Sequence, residues 1–174
     1  MIRNTADATI AGLEAEGQFF VLPNLVLSGQ LGYVHGRYRN IRFDISGDGI
    51  INDVDRDLKL PRLSPWTYGG GLTYDQKIGS LGIATARIDF THRDSARFTD
   101  NNAGFLPAAD MLDASLTYAT ASQRWRLSIY GRNLLNEVTY GGDTPLSAAF
   151  GGPGASLSPL NKGRVIGGEV ALSF

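Results

Sequence analysis

Seven stretches of the chain alternate between apolar and polar side chains with a period of two residues. This alternation is typical of β-strands whose two faces meet different surroundings. No stretch shows a convincing helical spacing of apolar residues. We therefore predict an all-β protein with strands at Thr9–Leu22, Leu25–Tyr38, Trp66–Asp75, Leu81–Arg93, Met111–Thr120, Arg124–Thr139 and Val165–Phe174.

The connections between these strands alternate in length. The short ones contain residues that favour chain reversal and lie at Pro23-Asn24, Gln76–Ser80 and Ala121–Gln123. The long ones are polar or glycine-rich and lie at about Asn40–Pro65, Ala96–Asp110 and Tyr140–Arg164. In an up-and-down antiparallel sheet every second connection lies at the same end. The short turns are therefore predicted at one rim and the long loops at the other.

Each predicted strand has one uncharged face and one polar face. A soluble β-sandwich alternates in the same way, but here the aromatic residues of the uncharged face separate into two groups. One group lies near the short turns (Phe19, Tyr74, Tyr118, Trp125, Phe174) and the other near the long loops (Tyr33, Trp66, Tyr68, Phe90). Two aromatic belts around an aliphatic band are typical of a transmembrane β-barrel.

The polar face carries the charged residues of the strands. Among them are Glu14, Glu16, Arg87, Asp89, Asp113, Arg126 and Arg132. We interpret them as lining a wet lumen, where neighbouring strands satisfy them as cross-strand pairs, and not as a catalytic set. His35 and His92 lie near the loop rim without a metal-ligand companion, which predicts polar rim residues.

Composition excludes several functions. The 174 residues have a net charge of −1 and no basic run, so no nucleic-acid partner is expected. The absence of Cys excludes a disulfide framework, a thiolate zinc site and a Cys nucleophile. No nucleophile elbow, phosphate-binding loop or zinc-helix motif occurs, so we expect no enzyme activity. The start lacks the apolar region of a signal peptide, and no apolar run approaches the ~18 residues of a spanning helix.

Four features of the chain occur in a characteristic order. Ala6–Glu16 leads from small residues into Gly-x-Glu, and Leu60–Trp66 is a proline-rich re-entry into a strand. Asn133–Tyr140 is an Asn-Leu-Leu-Asn motif, and the chain ends on Phe174 after glycine-rich alternation. In this order and spacing the segments resemble the C-terminal third of the barrel of TonB-dependent outer-membrane receptors.

The resemblance implies an antiparallel up-and-down transmembrane β-barrel fragment, the last third of a 22-stranded barrel with a plugged lumen. Residues 1–174 would be its C-terminal segment, without the plug domain and the earlier strands. Seven strands is an odd number, whereas complete single-chain bacterial barrels have an even one. We therefore expect a sheet that does not close, whose first and last strands each keep an unpaired edge, and an isolated piece that aggregates.

The function implied by the resemblance is that of a receptor and transporter in the bacterial outer membrane. The parent would bind a scarce nutrient, such as a ferric siderophore, cobalamin or an oligosaccharide, and import it with energy delivered by TonB. The fragment alone is not expected to transport. The implied partners are outer-membrane lipid, the remaining barrel strands, the plug and, for the parent, TonB.

One loop motif matches a calcium-binding loop. Counting from Asp44 as position 1, oxygen ligands stand at positions 1, 3, 5, 7, 9 and 12, and Gly49 stands at position 6. The candidate ligands are Asp44, Ser46, Asp48, the backbone carbonyl of Ile50, Asn52 and Asp55. Position 12 is Asp where Glu is usual, and no flanking helices are predicted. The same composition also favours an ordinary turn-rich loop, so both interpretations stay open.

Two other architectures remain as alternatives. The first is a soluble secreted or surface β-sandwich that acts as a binding module with a calcium loop. The second is a small complete porin-like barrel, which the odd strand number disfavours. The clusters Gly141-Gly142 and Gly151–Gly154 are interpreted as flexible loop near the mouth, where family members capture ligands.

Overall fold

The computed structural model of the chain describes residues 4–150 and 154–174. Its helical elements are the short helix α1 (Asp53–Asp57) and a 3-10 turn at Ala148–Phe150. Its strands are β1 (Ala6–Leu22), β2 (Leu25–Ile41), β3 (Trp66–Ile78), β4 (Gly82–Arg93), β5 (Ala96–Arg97), β6 (Phe105–Leu106), β7 (Ala109–Thr120), β8 (Trp125–Arg132), β9 (Thr144–Pro145), β10 (Ser156–Leu157) and β11 (Val165–Leu172).

Seven of these strands form a single antiparallel sheet in the order β1-β2-β3-β4-β7-β8-β11. Neighbours in the sheet are also neighbours along the chain once the two-residue strands are set aside. Those short strands pair as β5 with β6 and β9 with β10 inside the long loops. The predicted alternation of short turns and long loops is confirmed, and the single sheet rules out the β-sandwich alternative.

The sheet does not close. Strands β1 and β11 lie at its two ends, and each is paired on one side only. The prediction of two unpaired edges is therefore confirmed. A small complete barrel would pair these two strands with each other, so this chain by itself does not form one.

Several strand boundaries differ from prediction, and β3 also runs on to Ile78, into the turn predicted at Gln76–Ser80. Strands β1 and β2 extend further toward the loop rim than predicted and pair as a hairpin as far as Ala6 and Ile41. The strand predicted at Arg124–Thr139 is wrong beyond Arg132. It ends there because Asn133 adopts a left-handed φ of 50° and its side chain binds the Glu137 backbone twice. The Asn133 Nδ2 donates to the Glu137 carbonyl, and the Asn133 Oδ1 accepts from the Glu137 N–H. This local turn removes the backbone from the ladder.

The uncharged face is exposed or half-exposed across the sheet, and at the loop ends of β2 and β4 the same face also carries Arg37 and His92. Register aligns Leu27 with Leu72, Leu72 with Ile88 and Ile88 with Ala114, so one apolar band crosses neighbouring strands. At the far side of the sheet Ile129 is 63% exposed and Ile166 is 75% exposed. An apolar surface of this extent needs an apolar partner. None of the helices in residues 4–150 and 154–174 combines the length and the apolar character that a membrane crossing demands.

The loop rim holds a small core of its own. Within the described chain the buried apolar residues are Ile45, Leu60, Ala96 and Ala109, all in or beside the long loops. The loop of residues 42–65 folds over the polar face of the β1–β2 hairpin. A Cβ on Gly36 would come within 2.6 Å of side-chain atoms of both Leu60 and Leu63, so only glycine lets this loop approach so closely.

Candidate functional site

A pocket of about 520 Å³, which we call the mouth pocket, opens on the polar face of the sheet at the loop rim. Its size is that of a small-molecule site. Strands β4 and β7 supply its floor through Thr91, Arg93 and Met111, and the three long loops supply its walls. The wall residues include Arg62, Ser64, Phe98, Leu106, Thr139, Tyr140 and Asn161.

The first two loops are joined by specific contacts. The backbone N–H of Lys59 donates to the Asn102 side chain at 2.9 Å, and the Asn102 amide donates back to the Lys59 carbonyl at 2.7 Å. The Arg62 N–H donates to the carbonyl of Arg97 at 2.6 Å. The Arg62 guanidinium lies 4.5 Å from the centre of the Phe98 ring, a cation–π distance.

The third loop is fastened to the second by Asp143. Its carboxylate accepts from the Phe105 N–H at 2.7 Å and from the Ser158 hydroxyl at 2.7 Å. Hydrogen bonds from the Ser156 hydroxyl, the Phe105 N–H and the Ser158 hydroxyl hold the pKa of the Asp143 carboxyl below its usual value. Gly142 lies against the ring of Phe98, where a Cβ would come within 2.9 Å of it.

Glycine-rich segments of the third loop were predicted to be flexible. In the structure Gly142 lies packed against Phe98, and Gly141 donates to the Pro159 carbonyl at 2.8 Å. Gly151, Gly152 and Pro153 lie outside the described residues. The three loops thus form one interlocked cluster above the pocket.

Arg93 is the most constrained cation of the pocket. Its guanidinium donates to the Ser64 hydroxyl at 3.3 Å and to the carbonyls of Asp94 at 3.3 Å and Pro107 at 3.1 Å. These three acceptors are uncharged groups. In the described chain no carboxylate pairs with this guanidinium. The pocket therefore has a fixed positive charge at its floor.

His92 lies on the uncharged face at the loop rim. Its ring lies between the carboxylates of Asp110 and Asp94, and it stacks on Tyr68 with ring centres 4.5 Å apart. The prediction of a rim residue is confirmed, and the structure adds its two carboxylate partners. His35, by contrast, is exposed on the outer face of β2.

The two aromatic groups lie at the rims where they were predicted. At the loop rim Tyr33 and Trp66 have ring centres 4.5 Å apart. At the turn rim the Tyr118 hydroxyl donates to the Leu81 carbonyl at 2.9 Å, and the Tyr74 hydroxyl donates to Gln76 at 2.6 Å. Such rings bury an apolar body and keep a polar end beside the turns.

Three of the predicted charged residues of the polar face have polar partners close by. Arg87 and Asp89 form a two-pronged pair at 2.6 and 2.8 Å. Asp89 lies opposite Asp113, and Asp113 accepts from the Asn133 N–H at 2.8 Å. The other predicted lumen residues, Glu14, Glu16, Arg126 and Arg132, share this face but lie on two strands, β1 and β8, at different positions in the sheet. The structure does not gather these charges into a catalytic constellation.

A polar groove of about 560 Å³ crosses the same face between β1 and β4. Glu16, Gln30 and Asp89 are among its lining residues, with three successive glycines of β3 at Gly69–Gly71. A Cβ on Gly71 would come within 2.8 Å of the Asp89 carboxylate. Glycine therefore keeps the groove open beside the Arg87–Asp89 pair.

The predicted calcium ligands do lie in one compact loop. Asp44 accepts from the N–H groups of Gly47 and Gly49, each at 2.7 Å, and these bonds hold its pKa below the usual value, with Gly49 contributing most. Asp48 accepts from the Asn52 amide at 2.7 Å and from the Ile50 N–H at 3.0 Å. The hydroxyl of Ser46 donates to Asp44 at 3.0 Å.

Asp55 is fully buried at the centre of this loop. It accepts from the backbone N–H groups of Ile45 and Ser46 at 2.8 Å and of Asn52 at 3.0 Å. These bonds, the one from Asn52 foremost, hold its pKa below the usual value. Asn52 and Asp55 also form a capping box at the start of α1.

No group of three or more His, Asp or Glu side chains in residues 4–150 and 154–174 is arranged to hold a metal ion. The carboxylate of Asp55 instead holds the loop backbone together by accepting three of its N–H groups. The calcium assignment for this loop remains a prediction.

Sequence patterns did not predict the mouth pocket. Its charged members, Arg62 and Arg93, lie 31 positions apart in the chain. The docking of three loops brings them into one pocket, and no local spacing encodes that docking. The only available signal was that the long loops share a rim.

Comparison with known proteins gives two matches. A family model described as TonB dependent receptor-like, beta-barrel matches residues 1–134. Among solved structures, the crystal structure of the ferric yersiniabactin uptake receptor FyuA from Yersinia pestis matches with a TM-score of 0.80 and 16% identity. The match covers 98% of this chain and 24% of the FyuA chain, so this chain spans about a quarter of that receptor's length. No curated protein shows significant sequence similarity.

Proposed function

Because the chain belongs to the TonB-dependent receptor β-barrel family, we propose that it is the C-terminal barrel segment of an outer-membrane receptor that binds and imports a scarce nutrient. A ferric siderophore, cobalamin or an oligosaccharide is the expected class of cargo. The chain itself is a structural and ligand-capturing part of the transporter and has no enzymatic role.

One observation supports this proposal most directly. The sheet has one uncharged outer face, one polar inner face and an unpaired strand at each end. An open sheet of this kind requires further strands at β1 and β11, because the unpaired backbone groups of a transmembrane strand have no water to bind. Strands of the same receptor are the partners proposed for both edges.

The remaining partners follow from the two faces. The uncharged face would contact outer-membrane lipid, with the aromatic residues of both rims at the two interfaces. The polar face, with its groove beside Arg87 and Asp89, would line the lumen and contact the plug. TonB would act on the plug of the parent receptor, and the mouth pocket would take part in capturing the ligand.

The gene supplies the first test. DNA upstream of the Met1 codon should continue in frame into further barrel strands and a plug. An independent promoter and ribosome-binding site directly before Met1, together with a stable monomer of this chain in detergent-free buffer, would contradict the proposal.

The second test is uptake. A strain that lacks the complete receptor should lose growth on its nutrient, and the complete gene should restore it. A gene truncated before β1 should fail to restore growth. The same strain should regain growth when the missing nutrient is replaced by a source that enters through porins.

A further inference from the structure

The charge of the mouth pocket has one sign. Arg62 and Arg93 are the lining residues that carry a charge into the pocket, and no carboxylate side chain belongs to the lining. His92 also borders the pocket, but its ring lies on the opposite, uncharged face of the sheet between Asp94 and Asp110. The nearest acidic residues are engaged elsewhere. Asp94 and Asp110 face His92, and Asp143 binds Phe105 and Ser158. No described acidic side chain forms an ion pair with either guanidinium group.

The guanidinium group of Arg93 is fixed in position by hydrogen bonds. Three neutral oxygens, from Ser64, Asp94 and Pro107, fix the group through two of its nitrogens. Neutral acceptors orient an arginine without cancelling its charge. The planar fork of a guanidinium is matched to carboxylate oxygens, which bind it in a two-pronged fashion.

Arg62 is held in a different way. Its backbone N–H is bonded to Arg97, its φ of 57° is left-handed, and its guanidinium lies over the Phe98 ring. Stacking on a ring face leaves the N–H groups at the edge of the guanidinium free. No described residue accepts a hydrogen bond from that side chain.

The rest of the lining is apolar or hydroxylic. Phe98, Leu106, Met111 and Tyr140 form the apolar part, and Ser64, Thr91 and Thr139 provide hydroxyl groups. A pocket with two unneutralised guanidinium groups beside aromatic and aliphatic walls is complementary to an anion that also has an apolar body.

We infer that the mouth pocket recognises an anionic ligand that carries at least two carboxylate-type oxyanions, bound by Arg62 and Arg93, beside an apolar or aromatic portion. This inference rests on the proposed receptor function and narrows its cargo to anionic nutrients or anionic chelates. It disfavours neutral sugars and cationic chelates at this pocket.

The test measures binding of a metal-free probe to the complete receptor purified in detergent. The probe is the trianion tricarballylate, and its uncharged trimethyl ester is the control ligand. Calorimetry should show saturable binding of the trianion and none of the ester. Because two-pronged ion pairs are lost, Arg62→Gln and Arg93→Gln should each weaken binding by roughly tenfold or more.

The matched control is Arg97→Gln. Arg97 lies in the same loop cluster with its guanidinium 5.6 Å from the Phe105 ring centre and outside the pocket lining. Its replacement removes one positive charge from the mouth pocket's surroundings but no direct contact. If direct contacts determine the affinity, the dissociation constant for the trianion should change by less than about twofold. Equal losses for Arg97→Gln and Arg62→Gln would contradict a specific site.

Folding is monitored by the heat-dependent gel migration of the barrel. Arg93→Lys keeps the charge and removes the fork, and it should bind the trianion more weakly than the wild type but better than Arg93→Gln. Equal binding of the ester, or no saturable binding of the trianion, would overturn the inference. Uptake with no anion binding rejects this inference alone, whereas anion binding without uptake rejects the proposed function.

Discussion

Nδ1 of His92 lies 2.6 Å from Oδ1 of Asp110 on the neighbouring strand β7. The other ring nitrogen lies 3.1 Å from the carboxylate of Asp94, and only 15% of the His92 side chain is exposed. The register pairs His92 directly with Asp110 and with Tyr68, whose ring stacks on it. One side chain thus ties three strands together at the rim where the loops begin.

Replacing His92 should weaken the rim. His92→Ala removes two hydrogen bonds to carboxylates, a loss of about 1–3 kcal/mol in the free energy of unfolding. Urea unfolding of the complete receptor in detergent measures it. The matched control is His35→Ala, since His35 is exposed and has no described hydrogen-bond partner, and it should be nearly neutral. Equal losses in both variants would show that the carboxylate bridge does not stabilise the rim.

Gly82 should not tolerate a side chain. Its φ is 154°, and a Cβ there would come within 2.1 Å of the Ala119 carbonyl on β7. Gly82→Ala is therefore expected to destabilise the sheet by roughly 1–3 kcal/mol, because the strand pair must shift to admit the methyl group. A Cβ on Gly17 in β1 would have no atom within 4 Å, so Gly17→Ala should leave the free energy of unfolding nearly unchanged in the same assay. A neutral Gly82→Ala would refute the close approach.

The sheet was more predictable from sequence than the pocket, for a physical reason. A strand with one apolar and one polar face repeats its environment every two residues, so alternation alone places Leu116 on the uncharged face and Thr117 on the polar face. The loop cluster has no such periodicity. Arg62 meets Phe98 because a left-handed residue and the Asn102–Lys59 bonds dock two loops, and these contacts depend on tertiary structure. The strand end at Asn133 was missed for the same reason, because a side-chain turn replaced the ladder.

The loop of residues 42–65 should lose order in acid. The folded state binds the ionised forms of Asp44 and Asp55 through backbone N–H groups and so lowers both pKa values. Their contribution to stability is therefore complete above the ordinary carboxyl pKa of about 4 and is lost as the pH falls through the lowered values. Pepsin cleavage within this loop should rise steeply below about pH 4.

A substitution at neutral pH distinguishes the role of Asp55 from the general effect of acid on the protein. Asp55→Asn should make the loop sensitive to protease even at neutral pH, because a neutral amide cannot replace the three accepted N–H bonds. Asp53→Asn is the control, since Asp53 is exposed and pairs only with Arg56 among the described residues. Similar cleavage of the two variants at neutral pH would show that Asp55 does not hold the loop backbone in place.

Calcium binding by this loop remains to be measured. The motif from Asp44 to Asp55 predicts one bound ion of modest affinity, near the millimolar range of extracellular modules, because position 12 carries Asp in place of Glu. Native mass spectrometry of the receptor across a calcium titration should show one added ion. Asp44→Asn combined with Asp48→Asn should abolish it, and Asp53→Asn should not. No added ion at millimolar calcium would end the calcium assignment.

The two faces of the sheet should meet different solvents, and adjacent residues can report this. Leu116 lies on the exposed uncharged face, whereas the next residue, Thr117, lies on the polar face, where its hydroxyl is 2.9 Å from that of Ser128. A fluorophore attached at Leu116→Cys or Thr117→Cys in an otherwise cysteine-free receptor samples each side, because successive side chains of a strand point to opposite faces. In bilayers that contain nitroxide-labelled lipid, the label at 116 should be strongly quenched and the label at 117 should not. Equal quenching at both positions, or quenching at 117 alone, would contradict the assignment of the uncharged face to lipid.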